Sequence, residues 1–151
     1  MADPDRDAFY AHTDALKQLL RTASATIMVF ERFTGMHVAQ WRVLSYVAEF
    51  PGCTPGDLKT AHRVDPAAIT RTVKMLERDG YLTRERDPGD ARQIKIWLTD
   101  KGKATTEIIS GKRQEYLRVM LAGINLDRIS DLEDTLLNLD NNAMTALRSA
   151  V

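Results

Sequence analysis

Apolar residues recur along this chain at helical spacing, then at strand spacing, then at helical spacing again. From about Phe9 to Phe33, Leu16, Leu19, Leu20, Ala23, Ile27 and Phe30 follow one another every three or four residues, which predicts a long helix ended by Gly35. A second helix is expected from Val38 to about Phe50, with Trp41, Leu44, Val47 and Ala48 on its apolar side and Pro51-Gly52 as its break. Thr54-Pro55-Gly56-Asp57 opens a short third helix reaching His62: Thr54 caps, Pro55 suits the first helical position, and Asp57 favours the amino-terminal dipole. Asp65-Pro66 repeats the signal for a fourth helix running to about Asp79, where Gly80 supplies a left-handed stop. The period then changes to two. Leu82, Arg84 and Arg86 alternate with Thr83 and Glu85, and Ile94, Ile96 and Leu98 with Lys95 and Trp97, which predicts a hairpin. Between the strands, Pro88-Gly89 suggests a type II turn with positive φ at the glycine. Thr99 caps a fifth helix to about Ala122. After Gly123, Asn125 caps a sixth, whose Ile129, Leu132, Leu136, Leu139, Ala143 and Leu147 make a near-heptad seam.

Helix, turn, helix and two-stranded hairpin in this order predict a winged helix-turn-helix in a mainly α chain. Plotting the fourth helix at about 100° per residue sends Ile69, Val73 and Leu76 inward and Ala67, Arg71, Lys74 and Arg78 outward, with Thr70 at the edge. By itself such a face is that of any amphipathic helix in water; the hairpin behind it turns the reading toward DNA. Small residues near the amino end, Ala67 and Ala68, allow close approach to base edges. Arg71 has the fork to donate two bonds to a guanine, and Lys74 suits a phosphate. At the hairpin tip, Arg92 has the reach for a narrow minor groove, with Asp90 placed to hold it in register.

Composition narrows this further. The chain has 151 residues, 44% hydrophobic and 28% charged, with zero formal net charge, as expected of one globular domain. Charge is segregated: Thr54 to Lys103 holds eleven Lys/Arg against eight Asp/Glu, and the remainder is acidic by the same margin. Local field matters more than the total for phosphate contact. The acidic Met1-to-Asp7 start has no apolar run behind it, and no segment approaches the roughly 18 apolar residues of a membrane span. With the single Cys53, these features predict a cytoplasmic protein without membrane contact. No glycine-rich phosphate loop, nucleophile motif or metal cluster is present, and His12, His37 and His62 are not at zinc spacing. No enzyme, metal or cofactor is expected.

Five segments together resemble the MarR family of bacterial and archaeal regulators: Gln40-Trp41-Arg42-Val43-Leu44, Asp65 to Arg71, Leu76 to Leu82, Asp87-Pro88-Gly89-Asp90-Ala91-Arg92, and Leu98-Thr99-Asp100-Lys101-Gly102. The resemblance covers nearly the whole chain. It implies a single domain over 1–151, with a DNA-binding lobe over about 36–99 and a dimerisation lobe over about 8–34 and 100–151. It further implies a homodimer on a pseudo-palindromic duplex operator, in most relatives a repressor. Thr70 and Arg71 then take base-reading positions, Asp90 and Arg92 those of the wing tip, and Thr54, Ala67, Ala68 and Lys74 complete the DNA contacts. Many relatives release DNA on binding a small aromatic or anionic compound. For such an effector the candidates are Arg21, His37 and Trp41, an arginine for a carboxylate and an indole for a ring.

Some positions depart from the family pattern. His37 stands where a threonine or serine cap is common, and His62 and Arg63 where leucine and glycine are frequent. His62 is expected as a satisfied, semi-buried residue or a phosphate contact, and Arg63 as a further phosphate contact. Trp97 lies on the outward side of its strand, with packing on the fifth helix or a partner as its expected role. Two alternatives stay open: a winged-helix protein-interaction module without DNA binding, and a cysteine-based oxidant sensor using Cys53.

Overall fold

Six helices and one hairpin follow each other in the expected order in the computed structural model, which describes residues 4–62, 65–90 and 92–149. The expectations for Arg63 and Ala91, and for the side chain of His12, lie outside the described residues. Contacts divide the chain into two compact units, one through Met120 and a second from Leu121.

The first unit begins with α1 (Pro4–Thr34), which starts earlier than the apolar pattern suggested. Of that pattern only Phe30 is buried within this unit; Leu16, Leu20, Ile27 and the off-pattern Met28 are exposed. The second helix, α2 (Val38–Glu49), buries Val43, Leu44 and Val47. Ala48, expected on the apolar side, is exposed, and Val43 takes its place. The inward stripe keeps Leu44 and Val47 and extends toward Val43, as happens when a helix packs on neighbours on two sides. Leu58 of α3 (Pro55–His62) is fully buried. Ile69, Thr72, Val73 and Leu76 of α4 (Pro66–Arg78) form its buried side. With Leu82 and Ile96 from the hairpin, these residues make one core, joined by Ile109 and Tyr116 of α5 (Asp100–Met120).

The hairpin pairs β1 (Leu82–Arg86) with β2 (Ile94–Leu98) in antiparallel register, Leu82 opposite Leu98 and Arg86 opposite Ile94. A third segment joins it: Gly52 N–H donates to the Ile96 carbonyl at 3.0 Å, and Ile96 N–H to the Cys53 carbonyl at 2.9 Å. The wing is thereby tied to the loop before α3. Trp97, exposed on the outward side as expected, also takes part in this junction. A Cβ on Gly52 would lie 2.9 Å from two atoms of the Trp97 indole. The ring packs over that glycine, which also holds φ +78°.

The wing turn is also not the one expected. Gly89 is absent from the positive-φ glycines, so the turn is not type II. The Asp87 carboxylate instead accepts from the backbone N–H groups of Gly89 (2.7 Å) and Asp90 (3.3 Å). A side chain that closes the turn in this way removes the need for a left-handed glycine.

The second unit holds a 3-10 turn (Leu126–Arg128), capped by Asn125 accepting from Asp127 N–H at 2.9 Å, and α6 (Ile129–Ser149). No described side chain of α6 is buried, although Leu132, Leu136, Leu137 and Leu147 are apolar. Among the described residues no helix is long and apolar enough to cross a membrane.

Candidate nucleic-acid interface

Two caps set the helix-turn-helix. Thr54 Oγ1 accepts from Asp57 N–H at 3.2 Å, while the Asp57 carboxylate accepts from Thr54 N–H at 2.8 Å. This reciprocal pairing satisfies donors that helix formation leaves unpaired. The two hydrogen bonds from Thr54 hold the Asp57 carboxyl below its ordinary pKa. Asp65 caps α4 in turn, accepting from Ala67 N–H at 3.0 Å, with Pro66 in the first turn.

The outward side of α4 carries Ala67, Thr70, Arg71, Lys74 and Arg78, all exposed. Thr70 Oγ1 donates to the Pro66 carbonyl at 2.9 Å, which leaves its oxygen lone pairs free to accept. Arg71 lies 3.7 Å from Asp65, with both side chains well over half exposed. A pair this long and this wet is held weakly, so the guanidinium exchanges readily to a stronger acceptor. Arg78 is bound to Asp79 at 2.9 Å. Lys74 has no ion-pair partner among the described residues. Ala68 is placed differently from its neighbours: it is half-buried and lines a small cavity with Ala39, Arg42 and His62. The 3.6-residue repeat carries position 68 toward α2, away from the cationic side.

At the wing tip, Asp90 holds Arg92 by its backbone. Its carboxylate accepts from Arg92 N–H at 3.0 Å and from the Gln93 side-chain amide at 3.3 Å. The Arg92 guanidinium has no ion-pair partner among the described residues. The wing and the start of α3 enclose a polar cleft of about 610 Å³, lined by Thr54, Pro55, Asp57, Arg92, Gln93 and Lys95 among others. Lys95, 3.8 Å from Asp87, is a cation that sequence reasoning passed over. Strand alternation marked it only as polar, and nothing in the pattern placed it beside Thr54.

The groove that Trp41 lines includes neither Arg21 nor His37. His37 Nδ1 lies 2.7 Å from Glu31 Oε1 at the corner between α1 and α2. Arg21 sits ten residues before Glu31 on the same helix, about 15 Å along its axis. Trp41 faces a groove of about 570 Å³ between α2 and α5, with Ser45, Glu49, Thr106, Glu107 and Arg113 among its lining. Behind Trp41, in the core, lie the rings of Phe30 and then Tyr116, 6.3 Å and then 5.6 Å between centroids.

His62 is only partly satisfied. Its ring stands edge-on to Tyr46 at 5.6 Å, and Nε2 is buried without a hydrogen-bond partner. Burial, then the Arg42 charge, pushes its pKa below the ordinary value. Cys53 is buried, and burial, reinforced by Asp57, raises its thiol pKa. That is the reverse of what a reactive thiolate needs.

A capped helix pair, an exposed cationic second helix and a bridged hairpin behind it define the winged helix-turn-helix class. A family model described as "MarR family" matches residues 34–93. YdgJ of Bacillus subtilis (strain 168), described as an HTH-type transcriptional regulator, is 30% identical over 113 residues, 75% of this chain and 69% of its own. The chain belongs to the MarR family, and it is accordingly a transcriptional regulator and not an enzyme. Among solved structures, a mutant MarR from E. coli complexed with operator DNA superposes with TM-score 0.77 at 22% identity, covering 91% of this chain and 99% of the other. BpsR of Bordetella bronchiseptica, whose structure concerns regulation of its DNA binding by 6-hydroxynicotinic acid, gives TM-score 0.74 at 20% identity, covering 82% and 91%.

Proposed function

We propose that this protein is a cytoplasmic, homodimeric repressor that reads a pseudo-palindromic duplex operator and lets go when a small aromatic acid binds. The observation that carries the reading is the exposed side of α4: Thr70, Arg71 and Lys74 face solvent while the opposite side is locked in the core. In a major groove, Arg71 exchanges Asp65 for a guanine edge, Thr70 accepts or donates at a neighbouring base, and Lys74 meets a phosphate. Arg92, presented by Asp90 through its backbone, enters the adjoining minor groove. Thr54 and Lys95 line the cleft that a phosphate would occupy between them. The lobes are those of the family: about 36–99 for DNA, with the flanking helices for dimerisation. The operator complex of the E. coli relative supports the same use of the fold.

The effector reading moves from Arg21 and His37 to the Trp41 groove. The indole offers a face for a ring, and Arg113 meets one negative charge. Glu49 and Glu107 at the same groove disfavour ligands of higher negative charge. The regulation of BpsR by an aromatic acid supports this class of ligand.

The test is selection of a duplex from a random-sequence pool, followed by fluorescence anisotropy over a salt series, then titration with aromatic monoacids. Tight binding that weakens steeply with salt, and release by an acid that also quenches tryptophan, is expected. Failure to select any duplex, together with stable capture of a protein partner, would instead favour the interaction module.

A further inference from the structure

We propose that Lys101 is a positioning residue for sequence reading: it clamps the carboxyl end of α4 to the first turn of α5, so that specific DNA binding depends on it and phosphate binding does not. The proposal rests on α4 being the reading helix. A helix leaves its last carbonyls without partners inside the helix. At the end of α4, Tyr81 N–H donates back to the Leu76 carbonyl at 2.8 Å and Gly80 N–H to that of Glu77 at 3.0 Å. The chain then turns through Gly80 at φ +78°. The three carbonyls that follow the helix are all met from one place. Lys101 Nζ donates to Asp79 O at 2.7 Å, Thr99 Oγ1 to Gly80 O at 2.7 Å, and Thr99 N–H to Tyr81 O at 3.1 Å. The ammonium also sits 4.1 Å from the centroid of the Tyr81 ring. A cation there meets the negative end of the helix dipole and an aromatic face together.

The consequence for reading is geometric. Arg71 lies eight residues before Asp79, about 12 Å along the axis, so a swing of about 5° about the carboxyl end carries it by about 1 Å. Bidentate contact with a base edge tolerates only about half of that. Phosphate contacts made by flexible lysines tolerate it easily. α5 carries the clamp in its first turn and lines the Trp41 groove with Thr106, Glu107 and Arg113 further along. Lys101 thus lies between the groove wall and the reading helix on one continuous rod.

The test compares wild type with Lys101→Met, Lys101→Gln and Lys101→Arg, after the wild type has selected a duplex from a random pool. Circular dichroism and melting establish that each variant is folded. Affinity is measured on the selected duplex and on a scrambled one over a salt series, and amide exchange is followed in the last turn of α4. For Lys101→Met we expect an affinity loss of about five- to tenfold on the selected duplex, none on the scrambled one, and an unchanged salt slope. Faster exchange at the end of α4 should accompany it. Arginine should restore binding; glutamine should restore little. An equal loss on both duplexes with a shallower salt slope would make Lys101 a phosphate contact and overturn the proposal. So would unchanged specificity and exchange in the Met and Gln variants. If the wild type selects no duplex, the DNA-reading assignment itself falls, before any variant is compared.

Discussion

Arg71 and Lys74 are one turn apart on the same exposed side, yet their chemistry separates them. Arg71 has a planar fork and a weak partner in Asp65 at 3.7 Å; Lys74 is a point charge with no partner among the described residues. Arg71→Ala is therefore expected to cost about 1–3 kcal/mol and to relax specificity at one base pair of each half-site, read by competition among duplexes with single changes. Lys74→Ala should weaken all duplexes alike and lower the salt slope by about 1. If the two variants behave the same, the division of labour on α4 is wrong. His62 carries a different prediction, on stability. Burial, with Arg42 beside it, disfavours the charged ring in the fold, so the folded pKa lies below the 6.5 of the unfolded chain. Protons then bind more readily to the unfolded state. The stability is fully present above 6.5, is lost as pH falls through that value, and levels off only below the depressed folded pKa. Urea unfolding at pH 8 and pH 5 should show this drop in the wild type, and a smaller one in His62→Leu. Leucine also removes the unpartnered Nε2, so an unchanged pH response would shift the acid sensitivity elsewhere.

Elements were legible where local chemistry alone decides them. Proline after a capping side chain at Thr54 and at Asp65 starts α3 and α4, glycine at 80 ends α4, and a change of period marks the hairpin, because each acts within a few residues. What was not legible depends on groups far apart in sequence. Gly89 was misassigned because Asp87 closes the wing turn with its side chain. The contact of Trp97 with Gly52 joins residues distant in the chain, and the bridge from Cys53 to Ile96 has no local signature. The Trp41 groove needs α2 and α5 side by side, which no local signal announces, whereas Arg21 and His37 were candidates through the family resemblance. The same contrast between local and distant demands separates two glycines of α5. A Cβ at Gly102 would stand 2.2 Å from the Tyr81 carbonyl oxygen, which is backbone and cannot swing away. Gly111 has nothing within 4 Å. Gly102→Ala is expected to destabilise by about 3 kcal/mol and to loosen α4, while Gly111→Ala should stabilise by up to about 1 kcal/mol. Thermal melts of the two variants decide it; comparable behaviour would mean that α5 does not approach the end of α4 so closely.

A single chain leaves large apolar side chains in water. Leu20 and Met28 of α1 are 69% and 70% exposed, Ile108 of α5 is 61%, and Leu132 and Leu147 of α6 are 55% and 65%. Exposed leucines are ordinary when scattered, but α6 buries no described side chain at all and has a near-heptad apolar seam. A unit of this size cannot offset its chain entropy without burial. In the proposed homodimer a second copy would supply that burial by a two-fold arrangement, in which each contact is made twice. The proposed dimerisation would also answer the charge problem. With zero net charge the chain has little long-range pull on DNA, and one cationic lobe makes few phosphate contacts. Two lobes of the proposed dimer would double the contacts on half-sites about one helical turn apart, so that the free energies of two weak grips would add on one duplex. Leu132→Glu with Leu136→Glu should yield a monomer by analytical ultracentrifugation, and the wild type's melting temperature should rise with protein concentration while the variant's does not. The variant should also lose tight operator binding although Arg71, Lys74 and Arg92 are untouched, and its salt slope should fall to about half. A monomeric variant that binds the operator as tightly as the wild type would show that one lobe suffices, and that the seam on α6 serves something other than DNA recognition.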